Sequence, residues 1–277
     1  MIYCPYTNSE IEESEVNREH IIPLSLGGIN GFEIPVCKTF NSVAGSKIDG
    51  KLANDFLVLM KRNEHDIRGH SGKKPAFVGK NSVNSDTGTP IQVTFDKKTG
   101  LKLYCPITKR ELSRGESRSF STKIEMSIDI DTQFVAKTAL SAGYFAYGEL
   151  FRRSVKHEEL RIIMNNSPND MGDEIYNIET RVDWRFSDDQ SENLQIFRLL
   201  CNRLNGCSVV GLVQGPKSLS IFVGILGYYI GMVNVPAETK GFPNEGAYHW
   251  GHVICPQKGD LKRVSFKRAL EKLAGLA

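Results

Sequence analysis

An acidic residue beside a histidine, a Gly-Gly turn and an asparagine lie close together near the start of the chain. Glu19 and His20 are adjacent, Gly27 and Gly28 follow, and Asn41 comes after a further short apolar segment. Carboxylate and amide oxygens suit a hard divalent cation, and an imidazole can take a proton from water near neutral pH. This set predicts a site that binds one cation and activates one water, which is the chemistry of phosphodiester hydrolysis.

Asp49 is a further candidate ligand. Asn41, Gly45 and Asp49 are four residues apart and would share one face of a helix. A glycine inside a helix costs stability relative to alanine, and close approach by a ligand or another backbone would account for it. The alternatives are an N-cap role for Asn41 and a solvated surface position for Asp49. Oxygen ligands completed by water favour Mg²⁺ or Mn²⁺ over Zn²⁺.

Two short strands and a helix must position these side chains. Residues 19–26 predict a strand interrupted by a proline, residues 32–37 predict a second strand, and helical spacing of apolar residues begins at Asn41. Because adjacent residues of a strand point to opposite faces, a bend here would let Glu19 face the cation while His20 faces the water. The expected order is β-loop-β-α.

Charge is unevenly distributed along the 277 residues. The net charge is only +3, but residues 1–70 carry 7 Lys and Arg against 10 Asp and Glu, residues 71–125 carry 11 against 5, and residues 126–277 carry 17 against 17. We expect a catalytic domain over 1–70, a basic β-rich connector over 71–125 and an α+β domain over 126–277. The basic segment would suit a surface that binds phosphates, or it is a solvated lysine-rich loop.

Composition indicates a soluble globular protein, with 40% hydrophobic and 24% charged residues. The acidic start lacks the layout of a signal peptide, and six scattered cysteines suggest reduced thiols in a cytoplasmic protein. Residues 218–237 carry no charge, but their alternation predicts a buried hairpin and no membrane span.

Two helices are predicted in the C-terminal half. Residues 133–153 predict an amphipathic helix with Lys137 outside its apolar set, and residues 259–277 predict a basic amphipathic helix. The pair His249 and His252 has no nearby acid or cysteine in a metal-binding pattern, so aromatic packing or a turn is expected there.

The segment EHIIPLSLGG, followed by VCKTFNS and a glycine, resembles the HNH endonucleases. Their small ββα-metal fold occurs in restriction enzymes, homing and phage nucleases, and bacterial defence proteins. The likeness covers residues 4 to about 70 and is closest to the branch whose first motif residue is Glu. A fainter likeness to longer members of that branch continues at residues 66–69 and 136–140. The resemblance implies an α+β fold class, with an N-terminal ββα-metal nuclease core followed by a mixed α/β C-terminal region.

The resemblance also assigns roles to the motif residues. It implies that Glu19 and Asn41 are metal ligands and that His20 is the general base, with Asn30 as the middle polar residue that steadies the loop carrying the base. The family's middle residue usually lies closer to the following cysteine, where this chain has Phe32. Basic side chains around the motif are expected to contact nucleic acid: Arg18, Lys38, Lys47, Lys51 and Arg68.

Many HNH proteins hold a structural zinc with two CxxC knuckles, and this chain departs from that pattern. Each knuckle retains one cysteine, Cys4 and Cys37. Two thiols are too few for a closed zinc site, so we predict no structural zinc and expect Cys4 to lie beside Cys37.

Together these observations predict a metal-dependent endonuclease or nickase that acts on DNA with one Mg²⁺ or Mn²⁺ per site. A role in restriction or anti-phage defence, alongside other subunits of a defence system, rests on analogy with the family. The alternatives are a nucleic-acid-binding protein with a decayed nuclease core and an RNase.

Overall fold

A computed structural model describes residues 1–96, 99–113, 115–124, 128–166, 177–182, 192–204, 206–257 and 259–275. The chain contains both helices and strands. Three regions follow one another along it: a small N-terminal region of two hairpins and three helices, a five-stranded sheet, and a C-terminal region in which helices pack on a six-stranded sheet.

The N-terminal region consists of two antiparallel strand pairs followed by helices. β1 pairs with β2, and β3 pairs with β4 so that Glu19 lies opposite Ile34 and His20 opposite Glu33. A π-helical turn over Gly45–Asp49 separates the first two helices. The elements are β1 Ile2–Cys4, β2 Ser9–Ile11, β3 Val16–His20, β4 Glu33–Cys37, α1 Lys38–Ala44, α2 Gly50–Asn54 and α3 Phe56–Glu64.

Element boundaries differ from the sequence prediction in two places. The strand predicted over residues 19–26 lies instead at Val16–His20, and it is followed by Pro23, which has no N–H to pair, and by a 3₁₀ turn over Leu24–Leu26. The helix begins at Lys38 rather than Asn41, with Cys37 at its N-cap. The alternative of an N-cap role for Asn41 is therefore wrong.

The middle of the chain is an antiparallel sheet in the order β8-β7-β6-β5-β9. Its small core contains Ile91, Val93 and Leu103. The domain boundaries at residues 70 and 125 stay a prediction. The strands are β5 Phe77–Asn84, β6 Pro90–Asp96, β7 Gly100–Cys105, β8 Arg110–Leu112 and β9 Phe120–Thr122.

The C-terminal region is built on a six-stranded antiparallel sheet in the order β10-β13-β12-β11-β14-β15. Its elements are α4 Ile128–Tyr147, α5 Glu149–Ser154, α6 Glu158–Asn165, β10 Glu179–Val182, α7 Glu192–Arg203, β11 Val209–Gln214, β12 Ser218–Ile225, β13 Tyr228–Pro236, β14 Gly251–Gln257, β15 Asp260–Ser265 and α8 Phe266–Leu273.

Three predictions for this region can be compared with the structure. The uncharged segment 218–237 is an antiparallel hairpin of β12 and β13, as predicted, and no helix among the described residues is long and apolar enough to cross a bilayer. The helix predicted over 133–153 is divided at Gly148, whose φ of 53° favours glycine. The helix predicted over 259–277 is wrong in its first half, because residues up to Ser265 extend the sheet as β15.

Helix α4 lies at the centre of the molecule. It packs against β12 and β13 of the large sheet and also against β4, α2 and the π turn of the N-terminal region. Phe134 and Leu140 are fully buried, and so is Lys137. The prediction that Lys137 lies outside the core is wrong, because a helix covered by two neighbouring layers buries more than one face.

His252, on β14, is a buried histidine packed between tyrosine rings. It is 1% exposed, and its ring packs edge-on against Tyr248 at 3.8 Å and Tyr147 at 5.8 Å between centroids. Neither ring nitrogen has a hydrogen-bond partner among the described residues. Burial, with a smaller contribution from Arg263, lowers the pKa of His252 to about 4. The ring is therefore held neutral by the aromatic packing expected for this segment.

This environment makes stability depend on pH. The unfolded chain takes up a proton on His252 at a higher pH than the folded chain does, so the stabilisation is complete above pH 6.5 and decreases as pH falls towards 4. When the pH falls from 8 to 5, the free energy of unfolding should decrease by on the order of 2 kcal/mol less in His252→Phe than in wild type, as measured by urea denaturation. His249→Phe, at a more exposed histidine, should retain the wild-type pH dependence. An unchanged pH dependence in His252→Phe would contradict the assignment.

Candidate metal-dependent hydrolytic site

A tight loop after β3 positions the first site residues. The carbonyl of Pro23 accepts hydrogen bonds from the N–H groups of Leu26 and Gly28, at 2.8 and 3.0 Å. A Cβ at position 28 would lie 1.6 Å from the carbonyl oxygen of Ile22, so only glycine fits there. The N–H of Ile21 donates to the carbonyl of Phe32 and closes the loop at 2.9 Å.

The C-terminal region supports this loop from behind. The hydroxyl of Ser208 donates to the carbonyl of Leu26 at 2.5 Å, and it accepts from the N–H of Leu226 at 3.2 Å. Ser208 is fully buried. The loop that follows His20 is therefore fixed both by its own turn and by the residue that precedes β11 of the large sheet.

His20 has a defined tautomer. Its Nε2 lies 3.0 Å from Oδ1 of Asn30 and 3.0 Å from Oε1 of Glu33. A carboxylate and an amide oxygen can only accept, so Nε2 carries the proton and Nδ1 of the neutral ring keeps its lone pair. The side chain is 15% exposed and lines an open cleft. The ring is thus oriented with a free basic nitrogen.

Glu33 was not identified from the sequence. Its contact follows from the β3–β4 register, which sets Glu33 directly opposite His20. Two short strands define their register only weakly, so the sequence alone does not show this contact. Asn30, proposed as the residue that steadies the base, does lie within hydrogen-bond distance of His20.

The cleft gathers the candidate metal ligands. Glu19, Asn41 and Asp49 line it together with His20, and its volume is about 340 Å³. Gly45 also lines the cleft, and a Cβ there would meet nothing within 4 Å. The glycine therefore leaves open space on the ligand side of the helix. The π turn, often found at functional sites, ends at Asp49.

Two oxygens in the cleft lack a hydrogen-bond donor. Oδ1 of Asn41 and Oδ1 of Asp49 are buried and have no partner among the described residues. Buried acceptors are normally satisfied, and a hard cation would satisfy both. The described part of the chain contains no cluster of three or more His, Cys, Asp or Glu suited to a metal. The donor set here is two carboxylates and an amide, which fits Mg²⁺ or Mn²⁺ completed by water.

Lys137 enters the same cluster from α4. Its ammonium donates to Oε1 of Glu19 and, at 2.6 Å, to Oδ2 of Asp49. Burial raises the pKa of Asp49, and the neighbouring charge of Glu19 adds to this while Lys137 opposes it. Burial alone would lower the pKa of Lys137, but the carboxylates outweigh it and the pKa is raised. The faint sequence likeness at residues 136–140 includes Lys137 but assigns no role to this side chain.

A second histidine approaches His20. The rings of His70 and His20 lie 5.7 Å apart in an edge-on arrangement, and His70 is exposed on the wall of the cleft. His70 was not identified from the sequence either, because its isolated position in a polar loop carries no motif.

The basic residues expected to contact nucleic acid are all exposed. Some also bind within the chain. Lys38 donates to the carbonyl of Ser14 at 2.7 Å, Arg68 pairs with Asp66 at 2.8 Å, and Arg18, with 76% of its side chain exposed, lies 3.8 Å from Glu33. For Lys47 and Lys51 exposure is the only support. Nucleic-acid contact by these five side chains stays a prediction.

Cys4 and Cys37 adjoin, as expected from the knuckle remnants. The N–H of Cys37 donates to the sulfur of Cys4 at 3.3 Å, and both thiols are free. This contact joins β1 to the end of β4, just before the helix that carries Asn41.

Comparison with known proteins identifies the N-terminal part of the chain. No curated protein and no solved structure matches the chain. A family match does exist, and it spans the elements from β1 to the start of α3, including every candidate catalytic and metal-binding residue proposed from the sequence. Residues 2–57 match the HNH endonuclease family, so the chain carries an HNH domain at its N terminus.

Proposed function

We propose that this chain is a metal-dependent endonuclease or nickase that hydrolyses DNA phosphodiester bonds. In this proposal His20 is the general base, and Glu19, Asn41 and Asp49 hold one Mg²⁺ or Mn²⁺. The observation that carries the proposal is that one cleft contains both an oriented imidazole and buried oxygens for which the described residues supply no hydrogen-bond donor. The HNH family match over residues 2–57 supports nuclease activity in general.

His20 would act through Nδ1. Asn30 and Glu33 both contact Nε2 and accept its proton in a hydrogen bond. These contacts therefore leave the lone pair on Nδ1 available to accept a proton. As water attacks phosphorus and the bond to the leaving oxygen breaks, a proton passes from the water to Nδ1. The Glu33 carboxylate then stabilises the imidazolium that forms.

The oxygen ligands have a separate task. A bound Mg²⁺ or Mn²⁺ would neutralise negative charge on the phosphate and the leaving oxygen. Glu19, Asn41 and Asp49, which line the cleft together with His20, would hold this cation. The open space beside Gly45 leaves room for a phosphate to approach.

The substrate class and biological role are further parts of the proposal. DNA is the expected substrate from the family, and a role in restriction or anti-phage defence follows the same analogy. An RNase and a decayed, binding-only protein are the competing functions. Incubating the protein with duplex DNA and with single-stranded RNA, each with Mg²⁺ or Mn²⁺, separates all three.

His20→Ala should lower plasmid cleavage in Mg²⁺ or Mn²⁺ by about 100-fold or more, because it removes the general base. The rate is measured from supercoiled plasmid, and circular dichroism checks the fold. The matched control is His249→Ala, at a histidine outside the cleft, which should cleave at the wild-type rate. Undiminished cleavage by folded His20→Ala would exclude His20 as the base.

Asn41→Ala should raise the Mg²⁺ concentration that gives half-maximal cleavage by about tenfold or more, since it removes a neutral oxygen ligand without changing the charge. Asn54→Ala is the control, because Asn54 is exposed on α2 and its amide donates to the carbonyl of Gly50 within the same helix. If both variants show the wild-type metal dependence, Asn41 does not bind the cation.

A further inference from the structure

Lys137 is the most unusual group in the cleft. It is a lysine with no exposed surface, and its ammonium bonds to two carboxylates that line the candidate metal site. It lies 118 residues from Glu19 and 88 from Asp49 in sequence. It also lies outside residues 2–57, the segment that matches the HNH family.

Burying a lysine is costly unless the charge is paired. Here the ammonium bonds to only one of the two oxygens of the Asp49 carboxylate. Oδ2 of Asp49 accepts from Lys137 at 2.6 Å, whereas Oδ1 of the same carboxylate has no partner among the described residues. The ammonium therefore fixes one oxygen of Asp49 and leaves the other for a ligand from the cleft.

The same contact determines the charge of the site. Glu19 and Asp49 together carry two negative charges, and the ammonium offsets one of them. Without it, the two buried carboxylates would repel each other across a short distance. With it, they stay together and the three groups carry a net charge of −1.

The helix that carries Lys137 is rigidly held. Phe134 and Leu140, one turn to either side, are fully buried, and Ser141 donates to the carbonyl of Lys137 at 3.0 Å. α4 packs on β12 and β13 as well as on α2 and the π turn. The ammonium is thus presented from the C-terminal region at a fixed position.

We propose that Lys137 is a positioning residue of the nuclease site, supplied by the C-terminal region. Its ammonium orients Glu19 and Asp49. It also lowers the net negative charge of the site that would bind the divalent cation. This rests on the proposed function in taking Glu19 and Asp49 as metal ligands. It implies that the HNH segment completes its site only together with α4.

The test compares Mn²⁺ binding, by isothermal titration calorimetry, in two matched pairs of full-length proteins. The first pair is wild type and Lys137→Met, and the second is Asp49→Asn and the double variant Asp49→Asn, Lys137→Met. In each pair the loss of Lys137 makes the site more negative by one charge. We expect Mn²⁺ to bind about tenfold or more tightly without the lysine. If Lys137→Met does not fold because the two carboxylates repel each other, the second pair still gives the comparison. In that pair Asp49→Asn has removed one of the two carboxylate charges, so the repulsion is absent.

Cleavage and thermal stability provide independent readouts. At saturating Mn²⁺, Lys137→Met should cleave plasmid at least about tenfold more slowly than wild type. The cation binds more tightly in this variant, but the carboxylates of Glu19 and Asp49 are no longer held in the orientation that catalysis needs. Its melting temperature should be lower without metal and should rise more on adding Mn²⁺ than that of wild type.

Unchanged or weaker Mn²⁺ binding on loss of Lys137 in both pairs would overturn the proposal, and so would wild-type cleavage by Lys137→Met. A wild-type protein that cuts no nucleic acid would instead contradict the proposed function. The affinity difference within each pair would then still decide whether Lys137 sets the charge of the cation site.

Discussion

The cleft depends on one ion-pair cluster, in which the ammonium of Lys137 lies between the carboxylates of Glu19 and Asp49. All three side chains are buried. Two carboxylates this close repel each other, and a buried ammonium alone would be strongly unfavourable. Each charge is tolerated only because the others are present. The cluster therefore links three distant parts of the chain, namely the end of β3, the π turn and α4.

The N-terminal and C-terminal regions also share one hydrophobic core. The core runs from Ile21 and Phe32 near the loop, through Leu140 on α4, to Ile221 and Val233 in the large sheet. The hydrogen bond from Ser208 to Leu26 adds a second connection, directly behind the loop that follows His20. Residues on both sides of the cleft are thus fixed by elements outside the HNH segment. A segment as short as residues 2–57 has little core of its own, and packing against α4 and the large sheet adds to its burial.

The local parts of the candidate site can be proposed from the sequence, whereas its long-range parts cannot. Glu19, His20 and Asn41 could be identified because their types and spacing express a local motif, and a strand, loop, strand and helix do occur in that order. The role of each remains a proposal. Glu33 required the strand register, which two short strands define only weakly. Identifying Lys137 would have required knowing which faces of α4 are covered by other elements. The pattern of apolar residues along a helix predicts only one buried face. Fold details were missed for similar reasons, as at β15, where pairing with β14 decides between strand and helix.

The central claim is that the oxygens of the cleft hold a divalent cation beside His20. The most direct measurement is a crystal structure with Mn²⁺, in which anomalous scattering locates the metal. We expect one peak within coordination distance, roughly 2 Å, of Oδ1 of Asn41 and Oδ1 of Asp49, with Lys137 still bound to Glu19. A cleft without a peak at saturating Mn²⁺, or a metal bound away from these oxygens, would contradict it.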